Sequence, residues 1–526
     1  MRVLANANIH TMDENKPVAT TIVIENDRIL AIGDETDCHL FFDNGIIEDL
    51  QSYTVIPGLT DAHIHLQHYA IALKNIDCDV PTRQECLQRV ADHARNLPHG
   101  RWILGHGWNQ NDWVEGFGSA DDLDAFSPHN PVYLTAKSLH AGWANTIALQ
   151  AANININTMD PPDGHIQRNE QGRPTGILLE GAMRLIREVI PQDSTAEIAD
   201  AIKHAQKKLW QMGITSLHDF DRRDCFAALQ MLHTTGDLRL RVLKSLPIED
   251  LDHAVALGIH TGFGDDWLRI GSLKVFADGA LGPHTAAMLA PFEDDPNNLG
   301  MLLVDNEELF ELGQKAVSNG LSLAVHAIGD WANHEVLRAF EQLRGYETQQ
   351  EHPFNLRHRI EHVQLIHPED APKLAKLGII ASMQPIHATS DMKMADAYWG
   401  ARASNAYAWH TQLQHGAKLS FGSDAPVESP NPFWGLHAAV TRQRADGSPG
   451  QHGWYPEQRL TIQEALHAYT TGPAFAAGME NRLGKLAPGY LADLLVLESD
   501  PFICRATELR EITPTAVMIG GEWVID

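Results

Sequence analysis

Apolar and polar positions change period along the chain, and the change divides it. Residues 1 to about 56 run as short β-type stretches (MRVLANANIHTM, TTIVIENDRILAIG, IIEDLQSYTVIPG) broken by Asn-Asp, Gly and Pro, the pattern of a small antiparallel sheet. The last 45 or so residues read the same way in LADLLVLE and TAVMIGGEWVID. Between about 190 and 475 the period alternates between helical and extended. Ser194-x-x-Glu197 predicts a capped helix whose apolar positions Ile198, Ile202, Ala205, Leu209 and Met212 share one face, with Gly213 stopping it before the strand GITSLHDF. Asp305-x-x-Glu308 opens another helix, ending at Asn319-Gly320 before LSLAVHA.

Eight strand candidates follow from this grammar: TDAHIHL, GITSLHDF, LRLRVLKSL, LRIGSLKVFADG, LSLAVHAIGD, RHRIEHVQ, GIIASMQP and AKLSFGSDAP. Eight strands alternating with helices predict an α/β chain folded as a (β/α)₈ TIM barrel. The expected division is a β-sandwich accessory domain from residues 1–56 and 478–526, and a barrel over 57–477 with a large insertion after strand 1, about 70–190. That insertion, rich in Trp, Asn and Gly, is expected to act as a lid or substrate wall.

Composition narrows the function. With 40 Lys and Arg against 68 Asp and Glu, the formal charge is −28, which disfavours nucleic acid and anionic membranes as partners. The expected partner is a small-molecule substrate, and a homodimer stays open. The five cysteines (Cys38, Cys78, Cys86, Cys225, Cys504) form no C-x-x-C pair and read as reduced thiols. No basic start followed by an apolar stretch opens the chain, and no apolar run approaches the 18 or so residues of a membrane span, so the expected location is cytoplasmic.

Chemistry-bearing residues stand at the carboxyl ends of the strands: His63 and His65 on strand 1, Lys274 on strand 4, His326 on strand 5, His362 on strand 6 and Asp424 on strand 8. In a barrel those ends meet at one mouth. His63 and His65, two apart on a strand, face the same way, so both imidazoles can ligate one ion. Singly, His326 reads as a core histidine, Lys274 as a partner of Asp278 and Asp424 as a helix cap. Together, six such groups need a cation to offset their burial.

GLTDAHIHL (58–66), LKVFADGALGPHTAA (273–287), VHAIGD (325–330), RIEHVQ (359–364), GSDAPV (422–427) and LGKLAPGYLADLLVLESDP (483–501) resemble the amidohydrolase superfamily, in its YtcJ-like branch (amidohydrolase family 3) that includes N-substituted formamide deformylase. The resemblance runs over nearly the whole chain. It implies one or two divalent ions, zinc by default, with His63, His65 and Asp424 on one and His326 and His362 on the other. Lys274 would bridge them as an N6-carboxylated lysine. It further implies hydrolysis of an amide, formamide or carbamate C–N bond by a metal-activated hydroxide, with Asp424 as proton shuttle. Superfamily deaminases carry H-x-x-E after strand 5; here the stretch is His326-Ala327-Ile328-Gly329 with Asp330 next, which disfavours deamination. A deaminase or cyclic-imide hydrolase is the alternative within the superfamily, and a catalytically idle binding protein the alternative outside it. In the branch the insertion carries Asp-Gly-His-x-x-Trp-x-Asn, of which His140, Trp143 and Asn145 are present while Ser138 and Leu139 replace Asp-Gly. With Trp108, Trp331 and Asp278 these are the expected substrate contacts; Trp399 and Trp434 are further candidates for an apolar pocket, and Glu180 is a carboxylate of the insertion.

Overall fold

In the computed structural model, residues 1–526 are described except 44, 111–112, 137–140, 163 and 351–353. Eight strands form one parallel sheet in chain order: β1 (Leu59–Ile64), β2 (Ile214–Asp219), β3 (Arg241–Pro247), β4 (Leu268–Phe276), β5 (Leu323–Ala327), β6 (Arg359–His362), β7 (Ile380–Met383) and β8 (Leu419–Phe421). Each coincides with one of the eight strand candidates. Their near-continuous burial is what a parallel sheet covered by helices imposes. The helix signals hold as well. Ser194 Oγ accepts the Glu197 amide at 3.3 Å while the Glu197 carboxylate accepts the Ser194 amide at 2.9 Å. Asp305 caps the helix Asn306–Ser318.

The sheet closes just beyond β8. The Asp424 amide donates to His63 O at 2.7 Å and the His65 amide to Ala425 O at 2.9 Å, joining the ends of β8 and β1. Gly422 permits this approach, because a Cβ there would lie 2.4 Å from His63 N and 2.8 Å from Asp61 Oδ1. The two closing hydrogen bonds therefore run through the backbone of three residues expected at the site, His63, His65 and Asp424.

Strands from both chain ends form two further sheets. One has four strands, in the order Arg28–Gly33, Thr21–Glu25, Arg2–Ala5, Ile46–Asp49. The other has six, in the order Glu522–Ile525, Pro514–Ile519, Leu494–Leu497, Thr54–Pro57, Asn8–His10, Val18–Ala19. Leu4, Ile22, Ile24 and Ile29 of the first share one apolar core with Val55, Leu494, Val496 and Met518 of the second. Buried Arg241 on β3 forks onto Asp493 at 2.5 and 2.8 Å, a bidentate pair whose geometry offsets the desolvation of both charges.

Residues Met1–Tyr69 and Ile202–Asp526 form one compact unit and Ala70–Ala201 a second. The second has its own six-stranded sheet, in the order Gly164–Arg168, Pro174–Glu180, Ala141–Ala144, Val132–Ala136, Ile103–Trp108, Ile76–Asp77, and its own core around Trp108, Trp113 and Trp143. The segment between β1 and β2 is thus a folded body with a core rather than an extended loop. Among the described residues no helix is long and apolar enough to cross a membrane.

Replacing Gly422 with Ala should open the β8–β1 seam and lower stability by about 1–3 kcal/mol, the cost of forcing a methyl into packed structure. Gly345→Ala, in a helix with nothing within 4 Å of the added methyl, should leave stability unchanged or raise it by up to about 1 kcal/mol. Equal melting temperatures for Gly422→Ala and the parent would show that the seam tolerates the methyl.

Candidate metal centre

The six strand-end residues meet. His63, His65 and Asp424 present ligand atoms within 4.8 Å of one another. The His63 ring lies 4.9 Å from that of His362, and His362 lies 4.6 Å from that of His326. Two backbone features turn side chains here. His362 and Val363 have φ of 76° and 44°, and Asp424 has φ of 60°. Non-glycine residues in that region cost about 1–3 kcal/mol each and persist where the surroundings impose them.

Each imidazole has one nitrogen tied to an oxygen, which leaves the other nitrogen to face the shared space. His63 Nδ1 is 2.6 Å from Glu361 Oε2, and His65 Nδ1 is 3.1 Å from Asp221 Oδ1. His326 Nε2 donates to Gly279 O at 2.9 Å, and His362 Nδ1 to Gln384 Oε1 at 2.8 Å. Such partners fix the tautomer and aim the ligating nitrogen. The free Nε2 atoms of His63 and His65 then face one carboxylate oxygen, Asp424 Oδ1, at 3.5 and 3.3 Å. Burial, with the Lys274 charge beside it, lowers His63 to about 4 and His326 to about 3, and His362 also lies well below its ordinary value, chiefly through burial. These three stay neutral at pH 7, as ligands must.

Beneath the histidines lies a buried chain of charge. Arg359, on the same strand face as Glu361, bonds that carboxylate through Nε and Nη2, and also reaches Ala62 O and Ser382 Oγ, each at 2.6 Å. Burial alone would raise Glu361, but Arg359 and His63 hold it well below the usual carboxylate range. The Arg-x-Glu spacing on an apolar strand was the available signal for this pair, since residues two apart share a face. Asp221, which also holds His68 Nδ1 at 2.5 Å, carries a weaker signal, standing two residues past the end of β2.

Lys274 is buried and, among the described residues, makes no hydrogen bond or ion pair. Its Nζ lies 4.8 Å from the Phe220 ring centroid and 4.9 Å from that of Phe276. Burial brings its pKa down to about 8.

The expected substrate contacts fare differently. His140 lies outside the described residues. Trp108 and Trp143 are fully buried, with their indole N–H groups given to Leu134 O and Ser119 O at 2.9 and 2.8 Å. A tryptophan whose N–H is satisfied inside the core packs there, so these two rings build the insertion instead of a substrate wall. Asn145 is also fully buried; its side chain caps the helix Thr146–Ala151 and donates to Ser127 O and Asn130 O, which uses every polar atom it has. Asp278 is occupied too: its two oxygens accept the amides of Ala287, Ile328 and Gly329 at 2.8–3.0 Å, so it braces the loop after β4 against the end of β5. Trp399 is fully buried and Trp434 lies under the Arg510 guanidinium. Trp331 is half-buried at the start of the helix Asp330–Glu347. Glu180 is exposed at the end of its strand.

The chain is similar to known proteins over nearly its whole length. A model of the amidohydrolase family matches residues 47–525. The chain is 32% identical over 514 residues to Protein LONG AFTER FAR-RED 3 of Arabidopsis thaliana, spanning 95% of this chain and 87% of that one. It is 31% identical over 541 residues to putative amidohydrolase YtcJ of Bacillus subtilis (95% and 97%), and 28% over 545 to N-substituted formamide deformylase of Arthrobacter pascens (99% and 97%). An uncharacterized metal-dependent hydrolase from Pyrococcus horikoshii OT3 superposes with a TM-score of 0.80 at 28% identity, over 96% of this chain and 99% of that one.

Two outcomes follow. Glu361→Ala leaves Arg359 buried without its counter-charge and should cost about 3–5 kcal/mol in unfolding measurements. A loss below about 1 kcal/mol would mean that Ala62 O and Ser382 Oγ suffice for the guanidinium. In chelated protein, burial opposes a charge on His65, but its bonds to Asp221 and Asp424 prevail and raise it to about 9. An ion must displace that proton, so cobalt affinity should rise about tenfold per pH unit from roughly pH 6 to 8. Calorimetry in buffers of different ionisation heat should count close to one proton released from His65; an affinity flat over that range would remove His65 from the donor set.

Proposed function

The chain belongs to the amidohydrolase family, and from that premise we propose that it is a metal-dependent hydrolase cleaving an amide, formamide or carbamate C–N bond of a small, fairly apolar molecule. One observation carries the proposal: the Nε2 atoms of His63 and His65 converge on one carboxylate oxygen at 3.3–3.5 Å. The neutral His63 nitrogen and the ionised carboxylate repel each other, and a divalent cation set among the three donors, in exchange for the His65 proton, turns that repulsion into coordination. The donor set of histidine nitrogens and carboxylate suits zinc, and also manganese, iron, cobalt or nickel. His63, His65 and Asp424 would hold one ion; His326 and His362 would hold a second, with Lys274 bridging as a carbamate.

A bound ion of this kind supplies Lewis acidity and water acidified towards pH 7. The remaining work falls to the chain. Asp424, held well below the ordinary carboxylate range against the opposing effect of burial by His63, His65 and His362, is ionised at neutral pH; it accepts the proton of the attacking water and passes it to the leaving nitrogen. Lys274, with its pKa near 8, is partly a neutral amine at neutral pH and so able to combine with carbon dioxide. Phe220 and Phe276 beside it make that wall of the mouth apolar, in keeping with an apolar substrate. Deamination fits less well, because Asp330, nearest to the deaminase acid position, accepts the Leu289 amide at 2.8 Å. The full-length similarity to a formamide deformylase supports a formamide among the substrates. In this reading the two terminal sheets are an accessory β-sandwich of residues 1–56 and 478–526 beside a barrel of 57–477, the insertion running from about 70 to 190.

Zinc-loaded protein assayed against N-formyl, N-acetyl, carbamate and cyclic-imide compounds should turn over an acyclic member of the set. Asp424→Asn should lower kcat by about 10²–10⁴-fold, the usual size of general acid–base catalysis. Turnover of only cyclic imides would move the assignment to that class, and an unchanged kcat in Asp424→Asn would remove the proton shuttle.

A further inference from the structure

The helix Pro385–Trp399 starts directly after β7 and brings a fifth imidazole to the mouth. His387 is 6% exposed, and its ring lies 7° from parallel to that of His362, with centroids 6.2 Å apart. One of its nitrogens lies within 4.8 Å of both a His362 nitrogen and an Asp424 carboxylate oxygen. Its Nε2 is sealed from solvent and has no hydrogen-bond partner. Leaving a buried polar atom in that state costs about 1–3 kcal/mol. An ion sits about 2.0–2.1 Å from an imidazole nitrogen, closer than the roughly 3 Å of a hydrogen-bonded water.

The surrounding amides point the same way. Gln364 Nε2 lies 3.5 Å from His387 Nδ1, and Gln364 Oε1 is itself buried without a partner. A half-turn of that amide exchanges its ends in place. The carbonyl then accepts from His387 Nδ1–H, and the lone pair is fixed on Nε2. Gln384 Oε1 already does this for His362. The arms are crossed: the glutamine that follows β7 orients the imidazole ending β6, and the glutamine two residues beyond β6 orients the imidazole that follows β7. All five histidines of the mouth then obey one scheme, an oxygen on one ring nitrogen and the other nitrogen turned toward the shared space.

We propose that His387 is a metal ligand, joining His362 and Asp424 as a donor to the second ion, which the chain then keeps without a carbamate on Lys274. The inference rests on the metal centre of the preceding section and extends it by a residue and by independence from carbon dioxide. Asp424 becomes the carboxylate common to both ions.

Chelated protein titrated with cobalt(II), followed by visible absorption and by metal analysis, tests it without an activity assay. The parent and Lys274→Met should each take up two equivalents. His387→Ala should bind the first like the parent and the second at least tenfold more weakly. Identical titrations for His387→Ala and the parent, or loss of the second equivalent in Lys274→Met, overturn the inference while leaving the metal centre standing. A parent that binds no cobalt overturns both. Should His387→Ala fail to fold, anomalous scattering from cobalt-soaked crystals of the parent decides: an ion about 2.1 Å from a His387 nitrogen supports the assignment, and one beyond about 3 Å from both overturns it.

Discussion

Nitrogen and oxygen donor atoms are forced together around Asp424, and the barrel is what forces them. The carboxylate cannot withdraw, because its own amide is one of the two hydrogen bonds that join β8 to β1, and the acceptor of that bond is the carbonyl of His63. His63 cannot swing away either: its Nδ1 is held by Glu361, which is held by Arg359, which is anchored in turn to Ala62 O on β1 and Ser382 on β7. Closure of the sheet and convergence of donors are thus one constraint. A fold that ties its seam through a site spends conformational freedom there once, and the ligands arrive pre-positioned.

The same constraint explains where strain and charge are tolerated. Positive φ at His362, Val363 and Asp424 would be costly in an ordinary strand end. Here the cost is balanced locally, since the distortion lets side chains from separate strands share one small volume. The Arg359–Glu361 pair likewise sits where an apolar pair would pack with less desolvation. A carboxylate oxygen is nevertheless what His63 needs, to fix its proton on Nδ1 and leave Nε2 bare.

Much of this was legible in the sequence because a barrel strand is short, apolar and regularly spaced, so strand identity follows from periodicity and site identity from which strand ends carry His, Lys or Asp. His63, His65, Lys274, His326, His362 and Asp424 were singled out that way, and the structure brings the imidazoles and Asp424 close to one another. What escaped were residues whose roles depend on rotamer and on neighbours far along the chain. Trp108 and Trp143 look like binding residues in a Gly- and Asn-rich stretch, yet both donate their N–H groups to carbonyls inside the insertion. His387 lies on a helix of weak amphipathicity that begins with Pro, and nothing in QPIHAT announces that its first turn reaches the mouth. Asp278 read as a contact for ligand, whereas three backbone amides take both its oxygens.

Lys274 closes the argument about charge. An ammonium between two phenyl faces gains about 2 kcal/mol from each well-placed ring at most, whereas removing it from water costs several kcal/mol. The rings therefore soften the penalty without cancelling it, which agrees with a pKa lowered to about 8. A carboxylate placed directly on Nζ would have kept the lysine charged and inert; among the described residues none is bonded to it. The position therefore favours an amine that gives up its proton near neutrality over one that serves as a structural cation, and that property is the one needed of a lysine that reacts with carbon dioxide at the edge of a metal site.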